Sequence, residues 1–295
     1  MKKKKICILG VGKTGSALAI ELADAGYKVK YLVGRDEKVL GKVSKKIKGS
    51  KISFTLSQEI LDKSSIVFIT VRDAQLKEAV DEIKATGADV EGKMFIHTSG
   101  SVPSRALSGL KRKGALTGSF HPIQTFSGVS FKNQRLLKGI YFGIEGDEEV
   151  KKFLNKAAKK LGSGVLEIVS AKKPLYHLAS VIASNFLVTN IAVLSDVLSK
   201  AGINDVDAYN VYKGIIKQTL KNINRNGTAG SLTGPVERND METISAHVEY
   251  LKKHLPEMEA FYKEASKLTS KVAKEKGSLS DKQYEDINRF LSKKR

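Results

Sequence analysis

Gly10-Val11-Gly12-Lys13-Thr14-Gly15 is a G-x-G-x-x-G run that directly follows four apolar residues, Ile6 to Leu9. Glycines at this spacing between a strand and a helix suit a pyrophosphate. The first makes the turn, the second lets backbone approach the anion, and the third lets helix and strand pack closely. Free N–H groups and the dipole at the helix start then favour negative charge. Lys13 and Thr14 fall inside the loop and join the glycines as cofactor-binding candidates. The plain alternative is a glycine-rich turn in another α/β fold. Further on stands Gly34-Arg35-Asp36. A site for NAD(H) usually has an acid at this place to hold the ribose hydroxyls. Arg35 offers paired planar donors that suit a 2′-phosphate, which favours NADP(H). Asp36, one residue along, is the competing ribose ligand, and a surface arginine is the bland reading of Arg35.

Several polar residues close the expected strands. Val71-Arg72-Asp73 ends one, and Arg72 suits a phosphate, an acidic substrate or a salt bridge with Asp73. His97-Thr98-Ser99-Gly100-Ser101 ends the next, where the hydroxyls of Thr98, Ser99 and Ser101 suit substrate or the nicotinamide amide, and a strand-to-helix turn capped by Ser101 or Ser104 is the equal alternative. His121 precedes Pro122, which biases it towards extended backbone, a conformation suited to aiming its ring into a cleft, although a lone histidine is more often structural. Imidazole is a natural proton donor near neutral pH. His177, Ser180 and Ser184 share a helix face at i, i+3 and i+7, with Asn185 and Thr189 beside it. On this reading His177 is the acid/base, Ser184 and Asn185 position the substrate, and His121 is the reserve donor. Arg238 suits a substrate carboxylate or phosphate, or equally a pairing with Glu237 or Asp240. No metal-ligand spacing, Walker loop or G-x-S-x-G is present.

Short β-type runs alternating with helical patterns must carry these residues. Strands are expected at 6–9, 28–33, 52–55, 66–71, 94–97, 115–120, 140–144 and 165–169, with helices at 14–25, 75–85 and 148–161. That alternation predicts an α/β, doubly wound, mainly parallel sheet of Rossmann type. After Lys172-Lys173-Pro174 the pattern becomes all helical, at 175–201, 206–224, 241–254, 257–276 and 280 onward. A linker is expected at 226–235. The division predicted is a dinucleotide-binding domain over 1–171 and a helical substrate and dimerisation domain over 172–295.

The chain has 295 residues and a net charge of +20, from 51 Lys and Arg against 31 Asp and Glu. Lysines are scattered, apart from small clusters, and no nucleic-acid-binding motif accompanies them, so the charge reads as a solvated surface that favours anionic ligands. The single cysteine, Cys7, allows no internal disulfide and fits a reducing compartment. From Pro174 to Ser195 no charged residue occurs, yet many polar groups interrupt the run. A helix buried at the centre of a soluble domain is the expectation, rather than a membrane span.

The segments His97-Thr98-Ser99-Gly100, His121-Pro122-Ile123-Gln124-Thr125-Phe126, His177 to Phe186 and Leu232 to Asp240 together resemble one family. It is the Rossmann-like proteins whose C-terminal part is domain of unknown function 2520. The resemblance runs to about Thr269. The family is similar, more distantly, to the superfamily of 6-phosphogluconate dehydrogenase, pyrroline-5-carboxylate reductase, ketopantoate reductase and prephenate dehydrogenase. Gly34-Arg35 is similar to what NADP-preferring members carry, and His121-Pro122 resembles a segment of prephenate dehydrogenases. In the hydroxyacid branch the first long helix after the sheet brings a lysine and an asparagine to the nicotinamide. Here that helix offers His177 and Asn185, with Lys172 and Lys173 just before it. The resemblance implies a cytoplasmic NADP-dependent oxidoreductase with an unassigned substrate, dimeric through its helical domain. The alternative from another class is an NADP(H)-binding sensor without turnover.

Overall fold

The structure is a computed structural model describing residues 4–127, 135–204 and 206–293. Among these, eight strands form one sheet: β1 (Lys5–Leu9), β2 (Lys28–Val33), β3 (Lys51–Ser53), β4 (Ile66–Ile69), β5 (Met94–His97), β6 (Leu116–Pro122), β7 (Tyr141–Gly146) and β8 (Gly164–Glu167). Their order is β3-β2-β1-β4-β5-β6-β7-β8. Every pairing is parallel except β6 with β7, which is antiparallel. Each strand lies where the sequence pattern puts it, within a few residues.

The strands are apolar on both faces because both faces are covered. Ile6, Ile8, Ile66 and Phe68 point into one core; Cys7, Leu9, Val67 and Ile69 point into the other. This is the period-two alternation of a strand buried on two sides. The helices that follow the strands are α1 (Lys13–Asp24), α2 (Glu37–Lys46), α3 (Gln58–Asp62), α4 (Leu76–Ala85), α5 (Ser108–Lys111) and α6 (Glu148–Leu161). Leu18 and Leu22 of α1, Leu40 of α2 and Leu154 of α6 fill the first core. Ile60 of α3, Val80 and Ile83 of α4 and Leu110 of α5 fill the second. Helices on both faces of a mainly parallel sheet are the doubly wound arrangement.

The rest of the chain is helical: α7 (Lys173–Lys200), α8 (Ala208–Ser231), α9 (Met241–His254), α10 (Pro256–Lys276) and α11 (Asp281–Ser292). The chain divides into two compact units, residues 1–184 and 185–295, so the start of α7 belongs with the sheet. In the second unit Ile244 and Val248 pack with Ala273, Ile287 and Leu291. Asp240 caps α9 as expected, accepting from the Thr243 N–H, and Arg238 lies 4.0 Å from it. The expected linker over 226–235 is partly helical, since α8 runs on to Ser231 across a break at Gly227, where φ is +71°.

One expectation is corrected. The charge-free stretch was read as a buried helix, but its most apolar window in residues 170–200 has mean hydropathy 1.7 and is 0% buried. By length and composition alone that helix could cross a membrane. Leu175, Ile182, Phe186 and Val188 of α7 stand more than half exposed. Apolarity reports that a surface prefers cover; it does not say that the same chain supplies it.

Candidate functional site

The glycine loop has the geometry a pyrophosphate needs. Gly10 adopts φ +96°, and its N–H donates to the Val33 carbonyl at 2.8 Å, tying the loop to β2. Thr70 Oγ1 at the end of β4 donates to the Gly10 carbonyl at 2.6 Å. A Cβ at Gly15 would overlap that same carbonyl and the Thr70 hydroxyl, so only glycine lets α1 sit this close. At Gly12 nothing lies within 4 Å of the place a Cβ would take. Gly12 is also the N-cap of α1 and supplies no side-chain cap. The helix therefore presents its first N–H groups to open space, as anion binding requires.

From this loop a groove of about 1130 Å³ runs along the sheet edge, lined by Gly10, Gly12, Arg35, Val71 and Arg72 among others. Arg35 is exposed there, its Nη2 3.3 Å from Glu78 Oε1. Asp36 is otherwise engaged: it caps α2, accepting from the Val39 N–H at 3.0 Å. Asp73 accepts through one oxygen from the Ser99 and Ser101 hydroxyls, each at 2.8 Å. Ser99 Oγ in turn accepts from the N–H of Val102 at 2.9 Å. Ser99 thus serves as a turn residue that links the ends of β4 and β5.

The first turn of α7 drives polar side chains into the next sector of the same edge. Lys173 is 1% exposed; its Nζ donates to the Ser99 carbonyl at 2.9 Å and to Ser119 Oγ at 2.8 Å, and lies 3.7 Å from Glu145 Oε1. Burial lowers the Lys173 ammonium to about 8, against the pull of Glu145. Burial also acts to raise Glu145, but hydrogen bonds from Ser170 and Ser104 and the charge of Lys173 outweigh it and hold the carboxyl below its ordinary value. The result is a buried, hydrogen-bonded ion pair that pins α7 to β5, β6 and β7.

One turn on, Tyr176 Oη lies 2.7 Å from His121 Nδ1, with the two rings edge to face. His177 stands 6.0 Å from His121, centroid to centroid. Both imidazoles close on Gly100, where a Cβ would come within 2.8 Å of His121 Nε2 and of His177 Nδ1. Burial, reinforced by His177 and Lys173, lowers His121 to about 4, so it is neutral at pH 7. His177 Nδ1 is buried without a hydrogen-bond partner among the described residues, as is Nε2 of the neighbouring His97. Buried polar atoms left without partners are uncommon and concentrate where a ligand completes them.

Residues 1–122 match the model of a Rossmann-like domain, and residues 140–269 match domain of unknown function 2520. The chain joins a Rossmann-like domain to a 2520 domain. A proposed NADP oxidoreductase from Bacteroides fragilis is 25% identical, with TM-score 0.70 over 91% of this chain and 98% of its own. The protein TM1727 from Thermotoga maritima is 25% identical, with TM-score 0.72 over 92% of this chain and 99% of its own. Pyrroline carboxylate reductase from Plasmodium falciparum, solved with NADP bound, shares the fold at 16% identity and TM-score 0.57, over 94% of this chain and 99% of its own. No curated protein matches the sequence.

The candidate site lies within the first compact unit and draws on both matched segments. The Rossmann-like segment contributes the glycine loop, Arg35, Asp73, Ser99 and His121; the 2520 segment contributes Glu145, Lys173, Tyr176 and His177. Of the residues singled out in the sequence, Gly10, Gly12, Arg35, Val71 and Arg72 share the groove, and His121 meets His177 at Gly100. Lys13 donates to the Ser127 carbonyl at 2.9 Å, and Thr14 lies in the first turn of α1. Ser184 is half-buried further along α7, while Asn185 is exposed, and neither is drawn into the cluster at Gly100. Sequence reasoning noted Lys173 only as one of two lysines just before the helix, and it passed over Tyr176 and Glu145. A signal existed for Lys173 and Tyr176, since they share with His177 the i, i+3, i+4 face of one helical turn. Glu145, inside a strand, carried none.

Proposed function

We propose that this protein is an NADP(H)-dependent oxidoreductase that acts on a small, anionic carbonyl, imine or hydroxyl compound. The observation that carries this reading is a single sheet edge holding an open anion loop at Gly12 and, two strands along, two imidazoles converging on Gly100. Bound nicotinamide would supply the hydride. The N–H groups of α1 would hold the pyrophosphate, and Arg35 the 2′-phosphate. Use of Asp36 as the α2 cap supports that preference, because its carboxylate already serves a backbone N–H. Arg72, exposed on the groove, is the cation placed to receive an acidic substrate. His121 and His177 would deliver or accept the proton, and Lys173 would keep the ends of β5 and β6 in register beneath them. The cytoplasm is the compartment that fits a chain with a single buried thiol.

The same reading gives the bare surface of α7 an occupant, a second copy of this chain. Lys173 and Tyr176 anchor the start of that helix in the sheet unit, and beyond them Ser180, Ser184, Asn185, Thr189, Asn190 and Ser195 would be costly in lipid.

Calorimetric titration tests the cofactor. NADPH is expected to bind more tightly than NADH, and Arg35→Asp to weaken NADPH by about tenfold or more, the value of a charge-assisted hydrogen bond. Equal affinities in the wild type, or no change in the variant, remove NADP(H) from the reading. Turnover is then sought by NADPH consumption against a panel of small oxoacids and cyclic imines, with His121→Ala and His177→Ala as controls. Binding without consumption across the panel would leave a sensor rather than an enzyme.

A further inference from the structure

We infer that Glu78 is a specificity-determining residue, which holds the preference for NADP(H) over NAD(H) below what Arg35 alone would give. This deepens the proposed oxidoreductase reading and rests on it for the place of the cofactor in the groove.

Arg35 and Glu78 reach the groove from different elements. Arg35 stands two residues past β2, and Glu78 lies in the first turn of α4, 43 residues further on. The Arg35 Nη2 donates to Glu78 Oε1 at 3.3 Å, and both residues line the groove. Neither side chain has another partner among the described residues. The two are 79% and 64% exposed, so the pair adds little to the fold and opens readily. Two other acids on the groove are engaged elsewhere. Asp36 caps α2, and Asp81 lies 2.5 Å from Lys84. Glu78 is the acid that meets Arg35.

Two anions share one guanidinium only at a cost. A 2′-phosphate carries close to two negative charges at neutral pH and suits the planar fork that Glu78 holds. It must displace the carboxylate and then remain beside it. A ribose hydroxyl is neutral and can donate to the same carboxylate. Both effects have one sign: the charge on Glu78 weakens NADPH and favours NADH. Water limits their size. Like charges several ångströms apart in a high dielectric, partly screened by salt, change affinity by about threefold to tenfold. Glu78 also has a structural use, because an acid in the first turn of a helix complements the dipole. That use acts on stability and leaves the ratio of the two affinities alone.

Calorimetric titration of NADPH and NADH into the full-length wild type and Glu78→Gln reads that ratio. The substitution keeps the length of the side chain and removes its charge. The NADPH-to-NADH affinity ratio is expected to rise about threefold to tenfold in about 0.05 M salt, and to rise less in about 0.5 M salt, where screening is stronger. Glu37→Gln removes the same charge from the first turn of α2, outside the groove lining, and is expected to leave the ratio within about twofold. An unchanged or lower ratio in Glu78→Gln, or an equal rise in Glu37→Gln, overturns the inference. Equal affinities in the wild type that diverge in Glu78→Gln would count against the NADP(H) preference and leave the role of Glu78 standing. A wild type that binds neither dinucleotide would overturn both.

Discussion

Gly12 and Gly15 sit three residues apart and face opposite surroundings. A methyl group at Gly12 meets nothing within 4 Å, whereas at Gly15 it strikes the Gly10 carbonyl and the Thr70 hydroxyl. Gly12→Ala should therefore leave thermal unfolding unchanged and still weaken NADPH binding by about tenfold, because it fills the space of the pyrophosphate. Gly15→Ala should lower the unfolding temperature as well, by forcing α1 off β1 and β4. Equal effects of the two on stability would contradict this division. His97 gives a second test. It is 1% exposed, and burial lowers it to about 4 from an ordinary 6.5. The fold holds it neutral, so the unfolded chain gains the proton first as pH falls. Stability is then undiminished above about pH 6.5, declines towards pH 4 and levels off below, by at most ~3 kcal/mol from this group. Denaturant unfolding at several pH values should show the decline, and His97→Asn should make it shallower, with the part due to His121 remaining.

At the scale of elements, α7 determines the site because its first turn is fastened and the rest is bare. Lys173 is the fastening. Lys173→Met removes the ammonium and leaves the 4%-exposed Glu145 without its counter-charge. Breaking a buried pair in this way costs about 3–5 kcal/mol, to be read by urea unfolding. Adding Glu145→Gln should recover part of the loss; a double variant as unstable as Lys173→Met alone would show that the charge was not the cause. The i, i+3 and i+4 positions of Lys173, Tyr176 and His177 also mean that one helical turn supplies three neighbours of the site. Loosening α7 should then lower turnover more than NADPH affinity, since the glycine loop rests on β1 and β4.

At the scale of the whole molecule, the apolar length of α7 is exposed surface that favours cover. Leu175 is 68% exposed and Val188 70%, and the apolar stretch carries no charge from Pro174 to Ser195. On the proposed reading that surface is covered by a second copy of the chain, since obligate interfaces are apolar at their centre. Light scattering on the intact protein should give twice the chain mass. Ile182→Lys with Val188→Lys should give the mass of one chain, because a charge buried at the centre of such an interface has no counter-ion. A wild-type monomer would leave α7 without the partner proposed for it.

Local pattern was enough for the elements themselves. β1, the glycine loop and α1 were legible because strand, turn and helix are set by neighbours in the chain, and the doubly wound class follows from their alternation. The place of Arg35, two residues past the end of β2, was legible for the same reason. The burial of α7 was misread, since hydropathy gives a helix's preference and not its surroundings. Tertiary structure alone brought Tyr176 to His121, 55 residues away, and Lys173 to Ser99, 74 residues away. Those meetings depend on the strand order β5-β6-β7 and on the antiparallel turn of β7 that sets Gly143 opposite His121. Sequence periodicity records which face of an element is apolar; which elements become neighbours is decided only when all the faces are packed at once.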